Sequence, residues 1–116
     1  MKISAGDVTF DVSGASKIIG DIEAKNMGLK VSGASTVQLK GLADSLTIDA
    51  SGASNLKLAD IKVTNAEVTL SGASDATISL DGSLDADLSG ASTLEYIGDP
   101  VLGATNITGA STLKKK

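Results

Sequence analysis

The sequence predicts an all-β fold, a right-handed parallel β-helix (β-solenoid) of about six coils with about 19 residues in each coil and essentially no helix. The tetrapeptide Ser-Gly-Ala-Ser recurs at intervals of 19, 19, 20, 18 and 19 residues, with Thr as the first residue of the last copy. Between the copies, apolar and polar residues alternate, as in a strand with one buried face. Units this short must stack to bury that face, and a right-handed path follows from the chirality of parallel crossovers. The copies begin at Ser13, Ser32, Ser51, Ser71, Ser89 and Thr108.

Each unit is predicted to contain three short strands separated by bends. The alternation runs through 46–50, resumes at 55–58 after the tetrapeptide, breaks at Ala59-Asp60 and resumes at 61–63. No window of ten or more residues has the i, i+3, i+4 apolar spacing of an amphipathic helix. The alternation therefore indicates strands throughout.

The tetrapeptide is interpreted as the corner of each coil. Gly33 can take a positive φ, and Ala34 is predicted to point inward, because Val31, Ala34 and Val37 are spaced by three. The two serines are expected to form hydrogen bonds with backbone groups at the bend and to stack in files. This structural role is favoured over the alternative, a regular hydroxyl and methyl surface that binds a polysaccharide or ice.

The residues that directly follow each tetrapeptide are too mixed for an ice-binding face; they are Lys17, Thr36, Asn55, Asp75, Thr93 and Thr112. The residues two positions before each copy mix charge signs, which reduces repulsion between stacked neighbours. The residues two positions before each copy are Asp11, Lys30, Asp49, Thr69, Asp87 and Asn106.

Length and composition bound the remaining possibilities. The 116 residues are predicted to form a single domain, 1–116. The sequence has no Cys, His or Arg, and its 10 lysines against 14 acidic residues give a net charge of -4, so no nucleic-acid partner is expected. No apolar run reaches the roughly 18 residues needed to span a bilayer, and no signal-peptide pattern is present, so no direct membrane insertion is expected.

No catalytic, cofactor-binding or metal-binding residue is assigned, and no cofactor is predicted. Ser-Gly-Ala-Ser resembles a nucleophile motif, but a serine nucleophile needs a base, normally His. The acidic residues Asp81, Asp85 and Asp87, with Asp75 nearby, leave Ca²⁺ binding as an open alternative to a solvated acidic face. Asp85 and Asp87 share a parity and are expected on one outward face.

The six Ser/Thr-Gly-Ala-Ser copies, each between apolar-alternating strands, resemble the head GIN domain of putative auto-transporter adhesins. The segment 96–100, the copy at 108–111 and the lysine-rich end are similar to the end of that domain. The resemblance implies a right-handed β-helix of the bacterial or archaeal cell envelope, or a secreted one, with a surface or adhesive role. It supplies no catalytic residue.

The leading hypothesis is a non-catalytic structural or adhesin-like module of the cell surface. The alternative is a carbohydrate-binding or polysaccharide-cleaving solenoid similar to pectate lyases. A designed repeat protein is a third hypothesis. The unit lengths argue against it, because they vary between 18 and 20 residues. Self-association through the solenoid ends or a sheet face is expected, with a surface glycan as a further candidate partner. Lys114–Lys116 would discourage pairing at one end, and the incomplete turn Ile3–Val12 would partly cap the other.

Overall fold

A computed structural model describes residues 2–99 and 101–115 of the chain. Met1, Pro100 and Lys116, the last of which belongs to the predicted lysine cap, lie outside the described residues. Within those ranges the chain contains strands and no helix, and therefore no helix that could cross a membrane. The strands are β1 (Lys2–Val12), β2 (Lys17–Val31), β3 (Thr36–Ala50), β4 (Asn55–Leu70), β5 (Asp75–Leu88), β6 (Thr93–Ile97), β7 (Val101–Ile107) and β8 (Thr112–Lys115).

The strands form one parallel sheet that is wound into a solenoid of about six turns, about 19 residues apart. Their order is β1-β2-β3-β4-β5-β6-β8, and β7 pairs with β5. Each strand lies beside its equivalent in the next turn, in parallel, as the repeated apolar alternation predicts. The predicted all-β parallel solenoid is confirmed.

Each coil has three faces, but its backbone ladder continues through two of its bends. In β4 the first face is 55–58, the second is 61–63 and the third is 66–70, with outward residues doubled at the bends 59–60 and 64–65. The names first, second and third face are used below for the aligned residues of every coil. Because stacked coils bend at nearly the same place, the inter-strand hydrogen bonds persist around the bend, and each of the strands β2 to β5 ends only at a tetrapeptide. In the last coil the strand is also interrupted between Ile97 and Val101.

Small changes in coil length are absorbed at the bends. The register between β1 and β2 and between β2 and β3 is constant, as in Lys17↔Thr36. Between β3 and β4 it shifts between Gln38 and Lys40, and between β4 and β5 it shifts between Leu58 and Lys62. The inward residues therefore return to alignment before each tetrapeptide, despite intervals of 18 to 20 residues.

The interior is filled by stacked aliphatic side chains. One inward file runs through Met27, Leu46, Ala66 and Leu84, all of which are buried. Burial of one Leu or Ile side chain contributes about 1.5–3 kcal/mol, and the contacts run along the stack rather than around one centre. Phe10 and Tyr96 pack against this core from the first and last coils.

Candidate functional site

The tetrapeptide forms the tightest corner of each coil. The φ angles of the six corner glycines lie between 69° and 76°, in the left-handed region that favours glycine. A Cβ atom on Gly33 would lie 2.8 Å from the carbonyl oxygen of Gly14, one coil earlier. Glycine is therefore required both by its own backbone angle and by the close approach of the stacked corners.

The prediction that Ala34 points inward is wrong. Ala34 is exposed, whereas Ser35 has only 1% of its surface exposed. Ser35 lies two residues before the buried Val37, so it continues the alternation of the following strand, and its short polar side chain can turn back to the bend. The buried polar side chains among the described residues are Ser35, Ser54, Ser74 and Ser92, the last serine of four successive copies.

The buried serines bond to the backbone, as predicted. The hydroxyl of Ser54 donates to the carbonyl oxygen of Ser51 at 2.9 Å and lies 3.4 Å from that of Gly33. Ser74 and Ser92 make the equivalent contacts in the next two coils. No buried side-chain polar atom in the described part of the chain lacks a partner. The serine hydroxyls thus donate hydrogen bonds to the backbone carbonyl oxygens of the turn, and this geometry supports the structural interpretation of the repeat.

The four acidic residues noted in the sequence lie in three different places. Asp75 lies on the first face of β5, and Asp81 lies at the bend between the second and third faces. Asp85 and Asp87 both lie on the exposed side of the third face, as their shared parity predicts. Within residues 2–99 and 101–115, no group of three acidic side chains is arranged to hold a metal ion.

The third face is strongly acidic on its outward side. The sequence shows mixed signs among the residues two before each tetrapeptide. The excess of carboxylates over lysines appears only when all outward positions of the third face are counted together. Five carboxylates lie there against one lysine, and a surface depression between its strands is lined partly by Glu67, Asp85 and Asp87. The charged residues are Asp11, Asp49, Glu67, Asp85 and Asp87, with Lys30.

Side-chain hydrogen bonds cross the coils along one edge of the same face. The amide of Asn26 donates to Asp7 at 2.8 Å, and the hydroxyl of Ser83 donates to Asn65 at 2.7 Å. These four residues occupy the same position in four coils, because each aligns with its equivalent one coil on. The polar groups are therefore held at the spacing of the strands, about 4.8 Å.

An ion pair lies at the end of the last coil. Lys115 donates to Asp99, and this hydrogen bond and the charge of Lys115 lower the pKa of Asp99 below its ordinary value. The same contact raises the pKa of Lys115. Both groups are exposed, so the pair contributes little to stability.

The repeat geometry has a counterpart among known protein families. A family model described as "Putative auto-transporter adhesin, head GIN domain" matches residues 1–100. The chain belongs to this family. The match includes five of the six tetrapeptides, and the resemblance carried by those copies is confirmed. The family description suggests a location at the cell surface or envelope and an adhesin-like role. No curated protein and no solved structure matches the chain.

Proposed function

We propose that the chain is a non-catalytic, adhesin-like module of the cell surface or envelope that contacts its partner through the outward side of the third face. The observation that carries this proposal is the alignment of outward side chains. Residues about one coil apart in sequence lie side by side on neighbouring strands, as in Lys30↔Asp49 and Asp49↔Thr69. Polar groups thus repeat in a grid across a sheet instead of surrounding a cleft. Family membership supports a place at the surface.

The proposed ligand is a neutral or cationic surface glycan. A glycan has many hydroxyl donors and acceptors, and the amide, hydroxyl and carboxylate groups along the edge of the third face are already oriented by bonds such as Asn26 to Asp7. Because like charges repel, the surplus of carboxylates disfavours polymers of uronic acid. This charge argues for glycan binding over cleavage of an acidic polysaccharide.

Catalysis is not part of the proposal. The corner serines donate to backbone carbonyl oxygens, as Ser54 does to Ser51, and the sequence has no His to act as their base. The repetition of the corner also argues against a single active site, since each copy has the same environment.

A glycan array with neutral, cationic and uronic-acid glycans tests the binding proposal. We expect binding to neutral or cationic glycans, and a several-fold loss of that binding in Asp49→Lys on the third face. Asp75→Lys is the matched control, because it makes the same charge change at an exposed position of the first face. Failure of the native chain to bind any glycan, or equal loss in both variants, would overturn the assignment of ligand and face.

An assay for polysaccharide cleavage in the presence of Ca²⁺ separates adhesion from catalysis. We expect no product from uronic-acid polymers. Product formation that is lost in Asp85→Asn or Asp87→Asn would replace the adhesin proposal with a lyase. Antibody labelling of intact source cells tests the location, and labelling only after lysis would contradict a surface position.

A further inference from the structure

The hydrogen bonds along the tetrapeptide corners all point the same way. In each described pair of corners, backbone amides of the later coil donate to carbonyl oxygens of the earlier one. Ser32 donates to Val12 at 2.9 Å, and at the other end of the stack Thr108 donates to Leu88 at 2.9 Å. The corner of the first coil therefore presents donors outward, whereas the corner of the last coil presents acceptors. The two ends are complementary in polarity.

The two ends are also complementary in shape. At the start, β1 covers the second and third faces of β2, and no described strand precedes the first face, 17–20. At the other end, β8 adds a strand to the first face only, and β7 is the last strand of the third face. At the start of the solenoid the first face is therefore one strand shorter than the other faces, and at the other end the first face extends one strand further.

The core is left partly open at the last coil. Leu102 follows Leu84 in an inward file and Ile107 follows Leu88, yet these two residues are 44% and 41% exposed, because no strand among the described residues pairs with the outer edge of β7. The two described lysines of this end do not cover them either, since Lys114 and Lys115 lie on β8 at the first face and Lys115 is paired with Asp99. Exposed apolar side chains beside an unpaired strand edge favour the addition of another strand.

We propose that the chain assembles head to tail with a second copy of itself, so that β7 and β8 of one copy pair in parallel with β1 and β2 of the next. This inference rests on the ends of the solenoid and is independent of the ligand proposed for the third face. The existing register extends across the junction without a gap. It places Leu102 beside Val8, Ile107 beside Val12, Asn106 beside Asp11, and Leu113 beside Ile18.

The corner file would continue through the junction. Ser16 donates to Ser13 at 3.1 Å and lies at the first corner, before which the described chain has no corner glycine. At the last corner, which follows another coil, Ser111 reaches the carbonyl oxygen of Gly90 in that preceding coil, at 3.3 Å. In the assembly Ser16 would reach Gly109 of the neighbouring copy in the same way. Because the two contacting surfaces differ and each added copy continues the stack of coils in the same direction, such an interface produces linear chains of copies.

Cysteine cross-linking tests the direction and register, because the sequence has no native Cys. The experiment mixes two separately tagged variants, Asp11→Cys and Asn106→Cys. In the proposed assembly the Cα atoms of these positions lie on neighbouring parallel strands about 4.8 Å apart, within the range for a disulfide. We expect mild oxidation to produce the mixed dimer in high yield. Asp49→Cys mixed with Asn106→Cys is the control, since Asp49 is an exposed member of the same file in the middle of the stack.

A yield no higher than that of the control would overturn the proposal. Efficient cross-linking of Asn106→Cys to itself would also overturn it, because that product requires the same ends to meet.

Sedimentation analysis of the 116-residue chain tests the assembly without cysteines. Only one coil from each copy meets at the junction, so we expect the mass to rise above 11.5 kDa with concentration, in the range from about 1 µM to about 1 mM. Leu102→Lys should weaken association at least about ten-fold. Leu42→Lys is the matched control, because Leu42 is 53% exposed but lies in the middle of the solenoid. A mass of one chain at all concentrations, or equal weakening in variants that retain the native circular dichroism, would contradict head-to-tail assembly.

Discussion

The hydroxyl of Ser35 donates a hydrogen bond to the carbonyl oxygen of Gly14 in the preceding coil, at 2.9 Å. The same hydroxyl lies 3.0 Å from the carbonyl oxygen of Ser32, three residues earlier in its own coil. One side chain thus joins the bend of its coil to the coil before it. The repeated tetrapeptide therefore both turns the chain and bonds one coil to the next. Within the described residues, the first copy lacks the bond to a preceding coil that later copies such as that of Ser35 make.

Replacing Gly52 with Ala should destabilise the protein more than replacing Gly14 with Ala. Both glycines have φ above 70°, so each alanine carries a cost of about 1–2 kcal/mol. A Cβ atom at position 52 would also lie only 2.9 Å from the carbonyl oxygen of Gly33, whereas a Cβ atom at position 14 would have no neighbour within 4 Å. Urea unfolding followed by circular dichroism should show a larger loss for Gly52→Ala by about 1 kcal/mol or more. Equal losses would contradict the stacking role of the corner.

Replacing Ser54 with Ala should lower the free energy of unfolding by about 1 kcal/mol, the usual net value of one hydrogen bond. Ser54 is buried and bonded to the carbonyl oxygen of Ser51. The control is Ser16→Ala, because Ser16 is exposed at the first corner and solvent can replace its bond. Thermal or urea unfolding of the two variants measures the difference. A Ser54→Ala variant as stable as the native chain would show that the buried hydroxyl is dispensable.

Replacing Leu58 with Ala should cost about 2–5 kcal/mol, because it opens a cavity in the stacked core. Leu58 is fully buried and lies beside Ile78 of the next coil, which is also fully buried. Leu42→Ala removes the same atoms from an exposed position and should change stability by no more than about 0.5 kcal/mol. Unfolding midpoints in urea compare the two. Similar losses would mean that the core is less closely packed than the burial indicates.

Replacing Lys115 with Gln should raise the pKa of Asp99 towards its ordinary value, because the lysine lowers it through a hydrogen bond and its charge. Since the pKa of Asp99 is lower in the folded state, the pair contributes its small stabilisation above the unfolded pKa and loses it as pH falls through the folded pKa. Titration of the Asp99 carboxyl by NMR measures the change. Lys114→Gln is the control and should leave the titration of Asp99 as in the native chain. An Asp99 pKa unchanged by Lys115→Gln would show that the ion pair does not form in solution.

Much of the fold follows from the sequence because the information is local and repeated. Alternation within 55–58 and 66–70 identifies the inward residues, and the interval between tetrapeptides determines which strands align. The break in that alternation at Ala59-Asp60 is present in the burial pattern of β4, but the predicted separation into short strands is wrong, because β4 runs without interruption from Asn55 to Leu70.

The orientation of the corner was predicted wrongly. Apolar character favoured Ala34 as the inward residue, but the strand that follows keeps its alternation back to Ser35. The parity of Ser35 with Val37 was the available signal. A hydroxyl is tolerated inside because carbonyl oxygens of the bend lie within its reach, and composition cannot reveal that reach.

By itself the sequence determined the period, the aliphatic core and the glycine corner, since each depends on residues close together in the chain. Only the tertiary structure decided which groups meet across coils: the acidic outward side of the third face, the bond from Ser35 to Gly14, and the opposite polarity of the two ends. The physical reason is that these neighbours lie roughly one coil apart in sequence, so their contacts depend on the register and direction of stacking. A repeat predicts that coils will stack, whereas the bends decide which side chains and hydrogen-bonding groups face the surface.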